Sequence, residues 1–199
     1  MQGAGVVAAA VLGYLLGSLP SADLASRVAT RGGVDLRAAG SGNPGATNAA
    51  KVLGARWGVA VLVVDVAKGV AAGFAGHALG GDAGAYLAAT LVIAGHILPP
   101  WSGFRGGKGA ATAAGACLAV FPAYFPIFVA LAAVVAGATR RSELVVQVSG
   151  GAWITAAIVW TAADLPNAWG PEPGLGLVAF AVAASVMIVG KFALTRASV

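Results

Sequence analysis

Charge and sulfur are both scarce in this chain. Asp, Glu, Lys and Arg together make up 10% of its 199 residues, too few to clothe a soluble domain of this size. The one cysteine, Cys117, lies in an apolar run, which excludes a disulfide framework or a cysteine metal site and leaves packing as its role. No Lys or Arg precedes Arg27, so the basic n-region of a cleaved signal peptide is missing and the first apolar run reads as a retained span. There is no nucleophile triad, no pair of catalytic carboxylates and no metal-ligand spacing. Neither a metal nor a cofactor is expected.

Apolar and small residues fill the space that charge leaves. Hydrophobic residues account for 59% of the chain and its mean hydropathy is +0.87, the composition of an all-α integral membrane protein. Thirty glycines suit helices that meet closely in lipid; the four-residue spacings Gly13/Gly17 and Gly69/Gly73 fit that use. Apolar segments run from about Gly5 to Ala25, Trp57 to Leu79, Tyr86 to Trp101, Ala110 to Phe121, Ala123 to Ala138, Gly151 to Ala163 and Leu175 to Gly190. Seven transmembrane helices are therefore expected, with six as the alternative if the fourth and fifth fuse across "FPAYFP". Pro122 and Pro126 favour the break.

Basic residues decide the expected orientation, because loops rich in Lys and Arg stay cytoplasmic. Arg27, Arg31, Arg37, Lys51 and Arg56 share the first loop, Arg105 and Lys108 the third, Arg140 and Arg141 the fifth, and Lys191 and Arg196 the tail. Eleven of the twelve basic residues thus fall on one side. The N-terminus is placed outside and the C-terminus in the cytosol. This placement also explains the net charge of +5 without nucleic acid as a partner. No repeat or linker divides the chain, which reads as one transmembrane domain over residues 1–199.

Three polar clusters interrupt the apolar pattern. In "GSGNPGATN", Gly40, Gly42 and Gly45 spell G-x-G-x-x-G, and Asp65 follows twenty residues later. A dinucleotide fold would need this turn between a strand and a helix of a parallel sheet; here it lies between membrane helices. Its exposed N–H groups suit a phosphate nest, although the same residues also make ordinary turns. In "GHILPPWSGFRGGKGAAT", the segment "GGKG" fails the P-loop pattern, since Gly109 stands where Ser or Thr belongs and Ser102 where the first glycine belongs. A glycine turn with Arg105 and Lys108 at a helix N-terminus remains, suited to an anion or to a positive anchor. The third cluster, Asp65 and Lys68 in "DVAKG", shares one helix face as either a site or a bundle ion pair. His96 reads as an acid/base or as a structural histidine, and His77 lies near the outer face.

With "GSLPSA" at Gly17 to Ala22, these motifs stand in the order and spacing of a known family over roughly the first 115 residues. The sequence resembles the bacterial acyl-phosphate-dependent glycerol-3-phosphate acyltransferases, the PlsY family. The resemblance implies a bacterial inner-membrane, multi-pass enzyme of phospholipid biosynthesis. Such an enzyme moves an acyl chain from acyl-phosphate to the 1-hydroxyl of glycerol 3-phosphate, giving lysophosphatidic acid and phosphate. Carried over residue by residue, it places Ser41, Gly42, Asn43, Thr47 and Asn48 in the first phosphate-binding motif. Arg105, Gly106, Gly107, Lys108, Gly109 and Thr112 form the second. Lys108, Ser41 and Asn43 are the expected catalytic groups; Lys51 and Ser142 join the others as substrate-binding positions.

The last third departs from the family. Lys51 stands where an arginine is usual, Ser142 is one position early with Glu143 in its place, and "GKFA", Gly190 to Ala193, replaces a His-Arg-x-Asn motif. These changes fall on acceptor contacts. A non-catalytic or acceptor-altered relative that binds lipid precursors is thus the second reading, and a small transporter the third.

Overall fold

The computed structural model describes residues 2–197, with the side chains of Gln2, Arg196 and Ala197 left aside. Helices occupy Gln2–Ser18 (α1), Ser21–Thr30 (α2), Ala46–Leu53 (α3), Ala55–Ile97 (α4), Ala110–Val120 (α5), Phe125–Thr139 (α6), Ser142–Ala162 (α7) and Leu175–Ala197 (α8). A short 3-10 turn covers Pro100–Ser102. Among the described residues there is no strand.

Helix α4 is two helices in one. Gly80 and Gly81 leave helical geometry, and Gly81 takes φ +60°, a left-handed value that glycine adopts without strain. The arms before and after this pair fold back on each other, with Gly76 facing the Gly84 backbone. Each of the seven expected apolar segments therefore has a helix: α1, the two arms of α4, and α5 to α8. The boundaries differ for local reasons. Pro20, which removes a helix hydrogen bond, ends the first segment at Ser18 and turns the rest into the separate α2. The helix of the sixth apolar segment, α7, begins at Ser142, nine residues before that run, because "SELVVQVSG" is helical despite its polar residues.

Glycine contacts set how the helices pack. Gly13 and Gly17 of α1 lie against the backbones of Ala88 and Val92, and Gly69 and Gly73 lie against α5 at Thr112–Gly115 and Ala119. Gly115 returns the contact against Val66. Without a hydrophobic drive between helices in lipid, such approaches gain van der Waals contact that larger residues would forbid. The main core joins Ala89, Val92 and Ile93 of α4, Ala116 and Val120 of α5, Trp153 of α7, and Phe180 and Ala184 of α8. A smaller one, Ala22, Ala25, Leu36, Ala49 and Val61, seats α2 and α3 on α4. The outside is apolar too: Val59, Val63, Phe74, Val134 and Val186 are exposed. Among the described residues, Gly3–Thr30, Ala55–Ser102, Ser142–Ala162 and Leu175–Thr195 are long and apolar enough to cross a membrane.

The two ends of the bundle differ in chemistry. At one end Arg37 bonds to the Arg105 carbonyl, and Lys191 shares a cleft with both. At the other, Asn167 donates to the Val120 carbonyl and the Glu172 N–H to Asp82. The 11 residues of α5 rise only about 16 Å, short of the ~30 Å hydrocarbon layer. Its first turns lie against Gly69 of α4 at Thr112 to Ala116.

Gly115→Val should force α5 off α4 and lower stability by about 1–3 kcal/mol or more. Gly137→Ala, with nothing near its new methyl, should be neutral or gain up to ~1 kcal/mol; thermal melting in detergent compares the two.

Candidate active site

Two loops meet at the basic end, and each is shaped by its own glycines and polar side chains. The first, residues 31–45, is wrapped around the amide of Asn48. That side chain accepts from the Ser41 N–H (2.8 Å) and donates to the carbonyls of Leu36 (3.0 Å) and Ala39 (2.9 Å). Gly40 sits at φ +62°, where a side chain would run into the Asn48 oxygen. Arg37 ties the loop outward. It forms a two-pronged pair with Asp23 at 2.6 and 3.1 Å, and its Nε donates to the Arg105 carbonyl at 2.8 Å.

The second loop, residues 98–109, is fastened by Tyr14 Oη to the Leu98 carbonyl (2.7 Å) and by Trp101 Nε1 to Ser18 Oγ (2.9 Å). Gly106, Gly107 and Gly109 are buried. A side chain at Gly106 would overlap the His96 carbonyl, and one at Gly107 would overlap His96 Nε2 and crowd the Pro44 carbonyl. The paired glycines therefore let the two loops touch. Gly109, at φ +84°, is the N-cap of α5 and supplies no side chain to its first turn, so that turn keeps its N–H groups and its partial positive charge for an outside anion.

Between the loops and the end of α8 lies an open cleft of about 450 Å³, walled by Arg37, Gly42, Asn43, Pro44, Arg105, Gly106, Lys191, Leu194 and Thr195. Four of the expected site residues, Gly42, Asn43, Arg105 and Gly106, line it. Ser41 is exposed beside Gly42, and Gly107, Lys108 and Gly109 continue from Gly106 into α5. Thr47 and Lys51 are exposed on α3, and Ser142 is exposed at the start of α7. Thr112 is fully buried, its hydroxyl without a partner, and Asn48 spends its amide within the loop.

Sequence reading left out two of the cleft's cations. Arg37 and Lys191 had served only to mark the cytosolic side, and Lys191 belongs to the segment that departs from the family. Phe192 beside it lies under Lys108, whose Nζ stands 4.1 Å from the ring centroid. Burial pushes the Lys108 ammonium below the usual lysine range, and the Glu143 carboxylate opposes that shift.

A second cavity, of about 80 Å³, is lined from Ala110 onward, two residues beyond Lys108. Ala110, Ala113 and Cys117 of α5, Phe128 of α6, Val146 and Trp153 of α7 and Ile188 of α8 make its walls almost wholly apolar. Trp153 packs edge-on against Phe180 (5.1 Å) and stacks near Tyr124 (6.5 Å), giving it an aromatic floor. Behind the second loop, Asp65, Lys68 and His96 are buried together. Lys68 Nζ is 2.9 Å from Asp65 and 2.8 Å from His96 Nδ1, and Ser21 Oγ donates to Asp65 at 2.6 Å.

The profile of the family described as glycerol-3-phosphate acyltransferase matches residues 7–195. The chain belongs to that family. It is 43% identical over 139 residues to a glycerol-3-phosphate acyltransferase of Rhizobium etli, covering 69% of this chain and 66% of that one. It is 44% identical over 126 residues to one of Synechococcus elongatus, covering 59% of each. The matched segment thus spans slightly less than two thirds of these relatives' length. In structure it is similar to the glycerol 3-phosphate form of PlsY (YgiH), an integral membrane glycerol 3-phosphate acyltransferase. That match has a TM-score of 0.78 and 28% identity, and covers 96% of this chain and 90% of that one. The lysophosphatidic acid form matches with a TM-score of 0.76 and 27% identity. As a family member with these apolar helices, the chain is a multi-pass membrane protein.

Replacing Asn48 with Leu keeps its bulk and strands a loop N–H and two carbonyls. The expected cost is about 1–3 kcal/mol, read as faster hydrogen exchange at Ser41 with little change in the helices.

Proposed function

We propose that the chain is an acyltransferase of the bacterial inner membrane that moves a fatty acyl group from acyl-phosphate to the 1-hydroxyl of glycerol 3-phosphate, yielding lysophosphatidic acid and phosphate. It acts as one domain over residues 1–199, with seven spans, the N-terminus outside and the C-terminus in the cytosol. The observation that supports this reading is a cationic cleft reaching Gly106 and an apolar cavity starting at Ala110, with Lys108 between them along the chain. An acyl-phosphate has one end for each. The grouping of the basic residues at the cleft end of the bundle supports the orientation.

The acyl chain lies in the cavity below Ala110, and its phosphate meets the first turn of α5 and the cleft's glycine-rich backbone. The phosphate of glycerol 3-phosphate lies among Arg37, Arg105 and Lys191, with Asn43 beside it. Holding hydroxyl and carbonyl in contact supplies much of the rate gain, because the donor is already activated. The acceptor oxygen bonds to the carbonyl carbon while the bond from that carbon to the phosphate oxygen breaks. The hydroxyl proton passes to a phosphate oxygen of the departing group, since among the described residues lining the cleft there is no carboxylate or imidazole. Lys108 leaves the Phe192 ring to neutralise that phosphate.

Lys108→Ala should lower turnover by about 100-fold or more while the protein still inserts and melts as before; unchanged activity rejects its assignment. Lys191→Met should raise KM for glycerol 3-phosphate more than it lowers kcat. The second reading, an acceptor-altered relative, rests on "GKFA", in which Gly190 and Ala193 stand where the family's histidine and asparagine are expected and Lys191 where its arginine is. A panel of small phosphorylated alcohols, assayed for phosphate release and acylated product, separates the two. Phosphate release with no acceptor present would instead mark a hydrolase.

A further inference from the structure

The buried cluster behind the second loop fixes which nitrogen of His96 carries hydrogen. An ammonium has three hydrogens and accepts none. Lys68 Nζ has three neighbours to receive them: Asp65 Oδ1 at 2.9 Å, His96 Nδ1 at 2.8 Å and the Leu19 carbonyl at 3.4 Å. Asp65 holds the ammonium in place and takes a further bond from Ser21. His96 Nδ1 also stands 3.5 Å from Asp65 Oδ1, but the 2.8 Å contact to the Lys68 ammonium is the shorter; Nδ1 as acceptor fits it, which puts the ring hydrogen on Nε2.

That Nε2 faces the cleft side. It occupies the space where Gly107 lacks a side chain, near the Pro44 carbonyl, and among the described residues no group takes its hydrogen. Beside it lies a pocket of about 20 Å³, walled by Ser21, Arg37, Pro44, His96, Gly106 and Gly107. That is room for about one oxygen-sized occupant. Arg37, Pro44 and Gly106 are also walls of the 450 Å³ cleft, so the pocket adjoins it.

We propose that His96 is a ligand-binding residue of this site, donating from Nε2 to a phosphate oxygen in the cleft, with Lys68 and Asp65 as the positioning residues that set its tautomer. Arg37 and Asp23, paired with each other, are the charged walls of the same pocket; the Nε2–H donor makes an accepting oxygen the fitting occupant rather than a cation. This deepens the proposed function, resting on it only for the identity of the phosphate.

The two histidines, His77 and His96, make the test direct. The full chain is labelled with ¹⁵N-histidine in lipid nanodiscs, and His77→Gln assigns the remaining ring. The expected spectrum has hydrogen on Nε2 of His96, an Nε2 signal that moves with inorganic phosphate or glycerol 3-phosphate, and mixed tautomers in Lys68→Met. Hydrogen on Nδ1, or an Nε2 signal unmoved by saturating amounts of both anions, overturns the proposal. In kinetics, His96→Gln, whose amide nitrogen can replace Nε2–H, should stay within about tenfold of wild type, and His96→Leu should lose about 100-fold in kcat per folded molecule, beyond whatever its lost contact to Lys68 costs in melting temperature. Equal losses in both variants, or wild-type rates in His96→Leu, also overturn it. The ring's response needs no turnover, so an inactive wild-type chain whose His96 still answers to phosphate would reject the transferase and leave the binding role standing.

Discussion

A buried ion pair inside a membrane bundle is tolerable only when its own polar atoms are engaged, and this requirement organises the basic end of the molecule. Asp65 and Lys68, 2.9 Å apart, are almost fully enclosed. Removing one partner from such a pair costs several kcal/mol, because the other charge is then stranded. Their remaining contacts come from Ser21, the Leu19 carbonyl and His96. Those three residues sit at the α1–α2 junction and near the end of the second arm of α4, where the chain turns toward the two loops. Helix placement and loop placement are thus one problem with one solution.

Above this anchor the molecule separates polar from apolar surroundings over a single turn of helix. The cleft holds Arg37, Arg105 and Lys191, and the cavity below α5's first turn holds Ala113, Val146 and Trp153. A short α5 makes the separation possible. Were it long enough to reach the membrane face, its N-terminal N–H groups would open to water instead of into the bundle. Glycine at positions 69 and 115, where α4 and α5 touch, keeps it at this depth.

Much of this could be read from the sequence, and the parts that could not share a cause. Apolar runs gave seven helices because burial in lipid is written residue by residue. The glycines of the two loops stood out because positive φ and close approach leave few substitutes. Pro20 was hidden within an apolar run, and the first turns of α7 were hidden by their polarity. Arg37, Lys191 and Phe192 were missed because their roles depend on the rotation of α8 and on Asp23, neither of which is local. Asn48 sits in a motif rich in ligand-like groups, yet only the folded loop shows its amide turned inward. His96 carried no signal beyond its neighbour Gly95, since its tautomer is set by a lysine 28 residues away.

The contact between Lys108 and the face of Phe192 makes the empty site a competitor for its own ligand. A cation over an aromatic ring is worth about 0.5–2 kcal/mol, and any anion that recruits Lys108 gives up that contact. Affinity is discounted by roughly 2- to 30-fold. The same discount shortens the stay of whatever anion remains after reaction, because the ring is in place to take the lysine back. Here an aromatic side chain beside the cationic cleft exchanges tight holding for quick clearance.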